Sequence, residues 1–381
     1  MAIAYAHINP DILRWARERA QLSIDALARK LNTSGDTLEA WEKGEKRITI
    51  KQAKTVAEKT YVPFGYLFLK KTPEENLPIP DLRTIDGEQV RQPSAELLKI
   101  IQIVLAQQGW YQEYLNTQGT DKNSVIGRFS IKDSVSTIVE DMRFVLNVDP
   151  HPVRGNWEDY VRDLVNRIEE AGILVIRQGD LGHHSKPLSV EEFRGFAIYD
   201  EIAPVIFVNQ SDVPSARLFT LIHELAHIWI GQSGVSDGNA NTHRREEVLC
   251  NAVAAEFLVP GDEFLPRWND LEDWTDNLPS LEAHFRVSTW VLARRALTFN
   301  LINNAQYNQY IAFVKRQYER LNRDRDGGPT YYMTKKSQLS ERFSRALVAE
   351  TLSGRVLLRD AAQLLNMKPH NINNFAKELG I

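Results

Sequence analysis

The sequence predicts a mainly α chain with one small antiparallel β-sheet, an all-α head at the N-terminus and a helical extension at the C-terminus. Three observations carry this. Apolar residues recur at helical spacing through most of the chain. Short apolar runs rich in β-branched residues, ILVIR and PVIFVN, fall between residues 173 and 209. A small basic segment precedes a larger acidic one: residues 1–70 hold twelve Lys or Arg against eight Asp or Glu, so the head carries +4 and the remainder −8 of the overall −4. At 381 residues, 43% hydrophobic and 25% charged, the chain has room for two or three domains with real cores. The single cysteine, Cys250, excludes an internal disulfide and points to a reducing compartment. MAIAYAHINPD lacks the apolar stretch of a signal peptide, and no run approaches eighteen apolar residues, so a cytoplasmic protein with no membrane partner is expected.

In the head, PDILRWARERA reads as a helix starting at Pro10 or Asp11. Ser23 caps a second, IDALARKLN, with Ile24, Leu27, Ala28 and Leu31 on one face. The turn LNTSG, the segment DTLEAWEKGE and a helix from about Thr49 to Thr60 follow, and Leu38 with Trp41 packs the third helix on the second. Gly35, Asp36, Thr37, Glu39 and Lys43 then face outward. The basic balance suits nucleic acid, whereas Asp36 and Glu39 repel phosphate. A protein partner, or docking on the rest of the chain, is the other use of such a head.

Residues 71–92, with Pro73, Pro78, Pro80 and many charges, read as a linker. Three helices come next, in PSAELLKIIQIVLAQQGWYQEYLN, in DSVSTIVEDMRFVLNV (133–148) and in NWEDYVRDLVNRIEEAG (156–172), the last stopped by Gly172. ILVIR (173–177) reads as a buried strand, and RGFAIYD with PVIFVN as a hairpin around Glu201-Ile202-Ala203.

His223-Glu224-Leu225-Ala226-His227 follows. Four residues advance a helix by about one turn, so both imidazoles face the same way. That geometry grips one Zn²⁺ through two nitrogens, and the glutamate between them is placed to take a proton from an activated water. The competing reading is a helix with incidental histidines. It must bury two His and a Glu among the apolar flanks ARLFTLIHELAHIWIG without partners, at a cost of several kcal/mol. A hydrolytic zinc needs a third protein ligand and an open position. Position 233, six beyond His227, is Ser233, which excludes a third His there. Candidates lie on or just before the helix in EEVLCNAVAAEFLVPG (246–261): His243, Glu246, Glu247 and Glu256. Asn241 or Thr242 would cap that helix and Pro260-Gly261 end it.

LPIPDLRT (77–84), RGFAIYD (194–200), PVIFVN (204–209), FTLIHELAHIW (219–229) and EEVLCNAVAAEFLVP (246–260) together resemble the ImmA/IrrE-type metallopeptidases, in the long form with an N-terminal XRE-type helix-turn-helix. That family shows Glu-x-x-Ala-Asn-x-Phe-Ala-Ala on the second helix. Here Glu247 and Asn251 match the Glu and Asn, while Cys250 and Val253 replace the usual Ala and Phe. The resemblance therefore selects Glu247 as third ligand beside His223 and His227, with Glu224 catalytic and one Zn²⁺ per chain. It implies a zincin-like α+β core at 93–265, a helix-turn-helix at 1–70, and a C-terminal extension at 266–381. Within that extension 281–302 and 360–379 have helix-turn-helix rhythm, separated by a joint at 322–332. Asn251 is a candidate to orient a ligand, and Tyr199, His243 or Arg194 to steady an oxyanion. An edge strand is expected to pair with the substrate backbone. The implied activity is site-specific cleavage of a helix-turn-helix repressor in transcription regulation or a stress response. The alternative is a DNA-binding regulator or toxin–antitoxin-type protein whose metal site is structural or non-cleaving.

Overall fold

Helix caps and apolar stripes predicted from the sequence set the elements of the computed structural model, which describes residues 4–73, 78–79, 93–152, 155–181, 187–236, 244–323 and 330–381. The linker at 71–92, most of the joint at 322–332, and Asn241, Thr242 and His243 therefore lie largely or wholly outside the described residues. The chain divides into two units, the head with the start of a long helix through Ile103, and Val104 to Ile381.

In the first unit α1 (Pro10–Arg19), α2 (Ile24–Lys30), α3 (Gly35–Glu42) and α4 (Ile50–Lys59) enclose a core of Ile12, Leu13, Leu27, Leu38, Trp41 and Val56. Each helix starts on a side-chain cap: Asn9, Ser23, Ser34, and Thr49, whose capping box includes Gln52. Two-residue strands β1 (Tyr5–Ala6) and β2 (Ile48–Thr49) pair antiparallel. Glu42, buried in the core, accepts from Arg17 Nε at 2.7 Å and Nη2 at 2.9 Å, a forked pair that fixes the end of α3 against α1.

α5 (Ala95–Thr117) runs into the second unit, followed by α6 (Val135–Leu146) and α7 (Trp157–Glu170). Gly172, at φ +87°, ends α7 with a left-handed turn that L side chains resist. Strands β3 (Leu174–Gln178), β4 (Gly195–Ile198), β5 (Val205–Asn209) and β6 (Gly234–Ser236) form one sheet in the order β3-β5-β4-β6. β4 and β5 make the expected hairpin, with Phe196 stacked on Phe207 at 4.6 Å. The sheet is mixed rather than wholly antiparallel, because β3 runs parallel to β5. β5 is buried at all five positions, as befits an interior strand covered on both faces.

α8 (Pro214–Trp229) packs on β4 and β5, and α9 (Arg245–Leu258) packs on α8. Arg244 occupies the N-cap position of α9 and makes no side-chain cap bond, so the helix starts after Asn241 and Thr242. The core continues past residue 265. α10 (Gly261–Phe264), α11 (Leu278–Phe285), α12 (Thr289–Thr298) and α13 (Asn304–Arg323) contribute Phe264, Leu281, Phe285, Trp290 and Ile311 to the same cluster as α8. α14 (Tyr331–Gln338), α15 (Glu341–Leu352), α16 (Leu358–Leu364) and α17 (Ile372–Leu379) close the chain, with α17 packed on α14 and α15. The architecture is mainly α with small sheets. Among the described residues no helix is long and apolar enough to cross a membrane.

Candidate metal centre and cleft

α8 is buried without a break from Leu218 to Trp229. Its polar groups there are almost wholly withdrawn from solvent, so what they meet decides their chemistry. His223 and His227, four residues apart, bring their Nε2 atoms to 3.2 Å of each other. Glu247, from the first turn of α9, sets one carboxylate oxygen 3.2 Å from His223 Nε2 and the other 3.1 Å from His227 Nε2. All three are at most 2% exposed. Ligands about 2.0–2.1 Å from a tetrahedral Zn²⁺ stand about 3.3 Å apart, so each of these donor pairs has the spacing of neighbouring ligands, with one Glu247 oxygen turned to each imidazole. Two imidazoles and a carboxylate are the donor set a borderline divalent ion takes. Ser236 Oγ, from β6, donates to Glu247 Oε1 at 3.4 Å. Glu246 and Glu256, the other acids of α9, do not join this group, and Glu256 instead pairs with Arg295.

Burial pushes His227 below its usual range and so keeps it neutral, the form that ligates. Burial also opposes a charge on Glu247, but the two imidazoles outweigh it and hold that carboxyl well below the usual carboxylate range. Glu224 behaves oppositely. Burial, reinforced by the charge of Glu247, pushes its carboxyl well up. Glu224 is wholly buried; neither of its oxygens makes a hydrogen bond of regular geometry to a described residue, and the nearby Ser236 hydroxyl only partly offsets the burial. A buried carboxyl without partners costs several kcal/mol, which a water held between it and a bound ion would relieve. The residues present therefore fit a metal ion.

His223 and Glu224 open into a cleft of about 490 Å³ between α8, α12 and α13. Arg194, one of the three residues suggested to steady an oxyanion, lines it with its guanidinium 3.3 Å from Asp212 and stacked at 5.5 Å on Trp290. Tyr199 is not among the lining residues, and His243 lies outside the described ones. Arg294, only 8% exposed, also lines the cleft between the rings of Phe219 and Tyr307. Sequence reasoning missed Arg294, Ser236 and Gly195, and Gly195 packs directly under Glu224. Asn251 is half-buried one turn beyond Glu247. In the head, Asp36 and Lys43 are exposed, and Gly35, Thr37 and Glu39 are half-buried. Lys43 pairs with Glu39 at 3.3 Å, and Thr37 N–H donates to the Ser34 cap.

A helix bearing two spaced histidines and a second helix giving a carboxylate, with a small mixed sheet alongside, bring together a group of side chains that could hold a metal ion, in a chain that also carries a helix-turn-helix head. Family models agree with both parts. The IrrE N-terminal-like domain, Peptidase_M78, matches residues 168–297, and the helix-turn-helix model HTH_3 matches residues 13–67. This is the arrangement of the long-form ImmA/IrrE proteins. A domain of unknown function, DUF8813, matches residues 339–378, which covers all but the last residue of the segment at 360–379. No curated protein matches the chain.

Proposed function

We propose that the chain is a zinc-dependent, site-specific endopeptidase that cleaves a helix-turn-helix repressor or similar regulatory protein. The carrying observation is Glu224: a wholly buried carboxyl with no regular hydrogen bond to a described residue, beside three converging donors and lining a cleft. A purely structural ion, which takes four protein ligands, has no use for such a group. His223, His227 and Glu247 hold the ion. Bound there, Zn²⁺ would supply Lewis-acid activation of a water and of the scissile carbonyl. Glu224 accepts the proton from the attacking water at a carboxylate oxygen and returns it to the leaving amine. Its raised affinity for a proton suits the second half of that exchange. Arg194, in the cleft, is the candidate donor to the developing oxyanion.

The substrate backbone is expected along β6. β4 is paired on both sides, whereas β6 is an edge among the described residues and carries Ser236 into the cleft. An extended peptide can add there as a further strand. The helix-turn-helix head would bring the enzyme to the operator where its target sits, or take the place of a separate repressor. The experiment is co-expression with helix-turn-helix repressors encoded beside this chain, read by intact mass. Cleavage at one bond should fall by roughly 10²–10⁴-fold in Glu224→Gln, while zinc content stays near wild type. Glu247→Ala should lose both. If Glu224→Gln cleaves normally, the ion is structural and the chain a regulator or a non-cleaving binder.

A further inference from the structure

A second cluster of metal-binding side chains lies on another part of the same unit. His151 follows α6, Glu263 is on α10 and His284 is on α11. Glu263 Oε2 stands 3.1 Å from His151 Nε2 and 3.0 Å from His284 Nε2, and all three donor atoms lie within 4.8 Å of one another. These lengths are close to the 3.1–3.2 Å between Glu247 and its two histidines, though here one Glu263 oxygen serves both rings while Glu247 turns a different oxygen to each. The rings are fixed by packing. The two imidazoles are 4.5 Å apart, and each meets Phe285 nearly edge-on, at 81° and 86°. Phe285 is fully buried, so both rings rest on a rigid apolar base. His151, Glu263 and His284 are 20–29% exposed, so water reaches the remaining corner.

We propose that His151, Glu263 and His284 form a second metal site, which takes a borderline divalent cation, Zn²⁺ foremost, with water in the fourth position. Two neutral imidazoles and one carboxylate give a set of charge −1, which a divalent ion exceeds by one unit. The site lacks the feature that makes the first one catalytic. Among the described residues no unpartnered carboxyl stands beside it comparable to Glu224. Its effect is cross-linking. The ion ties the segment after α6 to α10 and α11, joining residues 112 and 21 positions apart in sequence. It thereby stiffens the turn between α9, which carries Glu247, and α11.

The test is metal stoichiometry of the full chain after zinc loading and gel filtration. Wild type should hold two equivalents, Glu247→Ala one, His284→Gln one, and the double variant none. Titrating Zn²⁺ into Glu247→Ala should raise its melting temperature by several degrees, since an ion that binds only the folded state stabilises it. Glu263→Gln added to that background should remove the rise. If Glu263→Gln fails to fold, the wild-type and Glu247→Ala stoichiometries still decide. A wild type with a single equivalent, all of it lost in Glu247→Ala, overturns the second site and leaves the first untouched.

Discussion

Gly195 shows how tightly one residue can be tied to the chemistry. A Cβ there would stand 2.7 Å from Glu224 Oε1, 2.8 Å from the Phe207 carbonyl oxygen and 2.8 Å from Thr220 Cγ2. The Phe207 oxygen is backbone of the paired strand and has nowhere to go. Either β4 moves or the Glu224 carboxyl does, and in its proposed role as base a displaced carboxyl would lose reach to the attacking water. Gly195→Ala is expected to lower kcat/KM about tenfold or more at unchanged zinc content, with roughly 1–3 kcal/mol of destabilisation from overpacking. Steady-state cleavage beside metal analysis checks it, and wild-type turnover in the variant would disprove the contact's importance. None of this is legible in RGFAIYD, where the glycine reads as an ordinary strand start. Its constraint comes from Glu224, 29 positions on and brought under it by folding. His223, Glu224 and His227 are legible because their spacing is local. The part of Glu247 came from resemblance, since α9 is apolar on nearly every face and its periodicity cannot separate Glu246 from Glu247.

Elements are held to one another by groups of the same hidden kind. Glu169, at the end of α7, is buried; Oε1 accepts the Val175 N–H of β3 at 3.3 Å. Oε2 accepts the N–H groups of Glu341 and Arg342 at 3.0 and 3.2 Å, in the first turn of α15, where a carboxylate favours the helix dipole. Arg342 returns a bond to the Glu169 carbonyl at 3.0 Å. Burial nevertheless outweighs these bonds and raises the carboxyl above its ordinary 4.5. The folded chain then binds this proton more tightly than the unfolded one. Its contribution to stability is full below 4.5 and is lost as pH rises through the folded-state value. Urea midpoints for wild type and Glu169→Gln should therefore diverge with pH, the wild type losing ground relative to the variant as pH climbs and then levelling. A difference that stays flat from about pH 4 to 8 would refute it. Helix ends were legible where a cap announces them, as at Ser23, Thr49 and Gly172. The direction of β3 was not, because a short buried run reads alike in parallel and antiparallel pairing. β6, three residues long, carries no pattern at all.

For the whole molecule the division of labour follows from where the groups lie. Every residue lining the cleft falls between Val190 and Lys315, inside the second unit. The head has its own core and its own partly buried Arg17–Glu42 pair. A chain lacking residues 1–70 is therefore expected to cleave purified substrate within about threefold of the full chain. The charge split sets the second half of the prediction. The head holds +4 and the rest −8, so any attraction to phosphate resides in the head, and the remainder repels it. Asp36 is exposed and Lys43 is neighboured by Glu39, so the outward face of α3 offers little net charge. Exposed Lys46 and Arg47 beyond its end are better placed to meet a backbone. Binding should consequently be modest and salt-dependent, weaker by roughly 40-fold at about 200 mM than at about 50 mM salt if about three phosphates are neutralised. Gel-shift titrations across that range, on the full and shortened chains, separate the readings. Retention of DNA by the shortened chain would place the contact outside the head. Absence of DNA binding by the full chain even at low salt would make the head a protein-docking module. A shortened chain that folds but no longer cleaves would mean that the head presents the substrate.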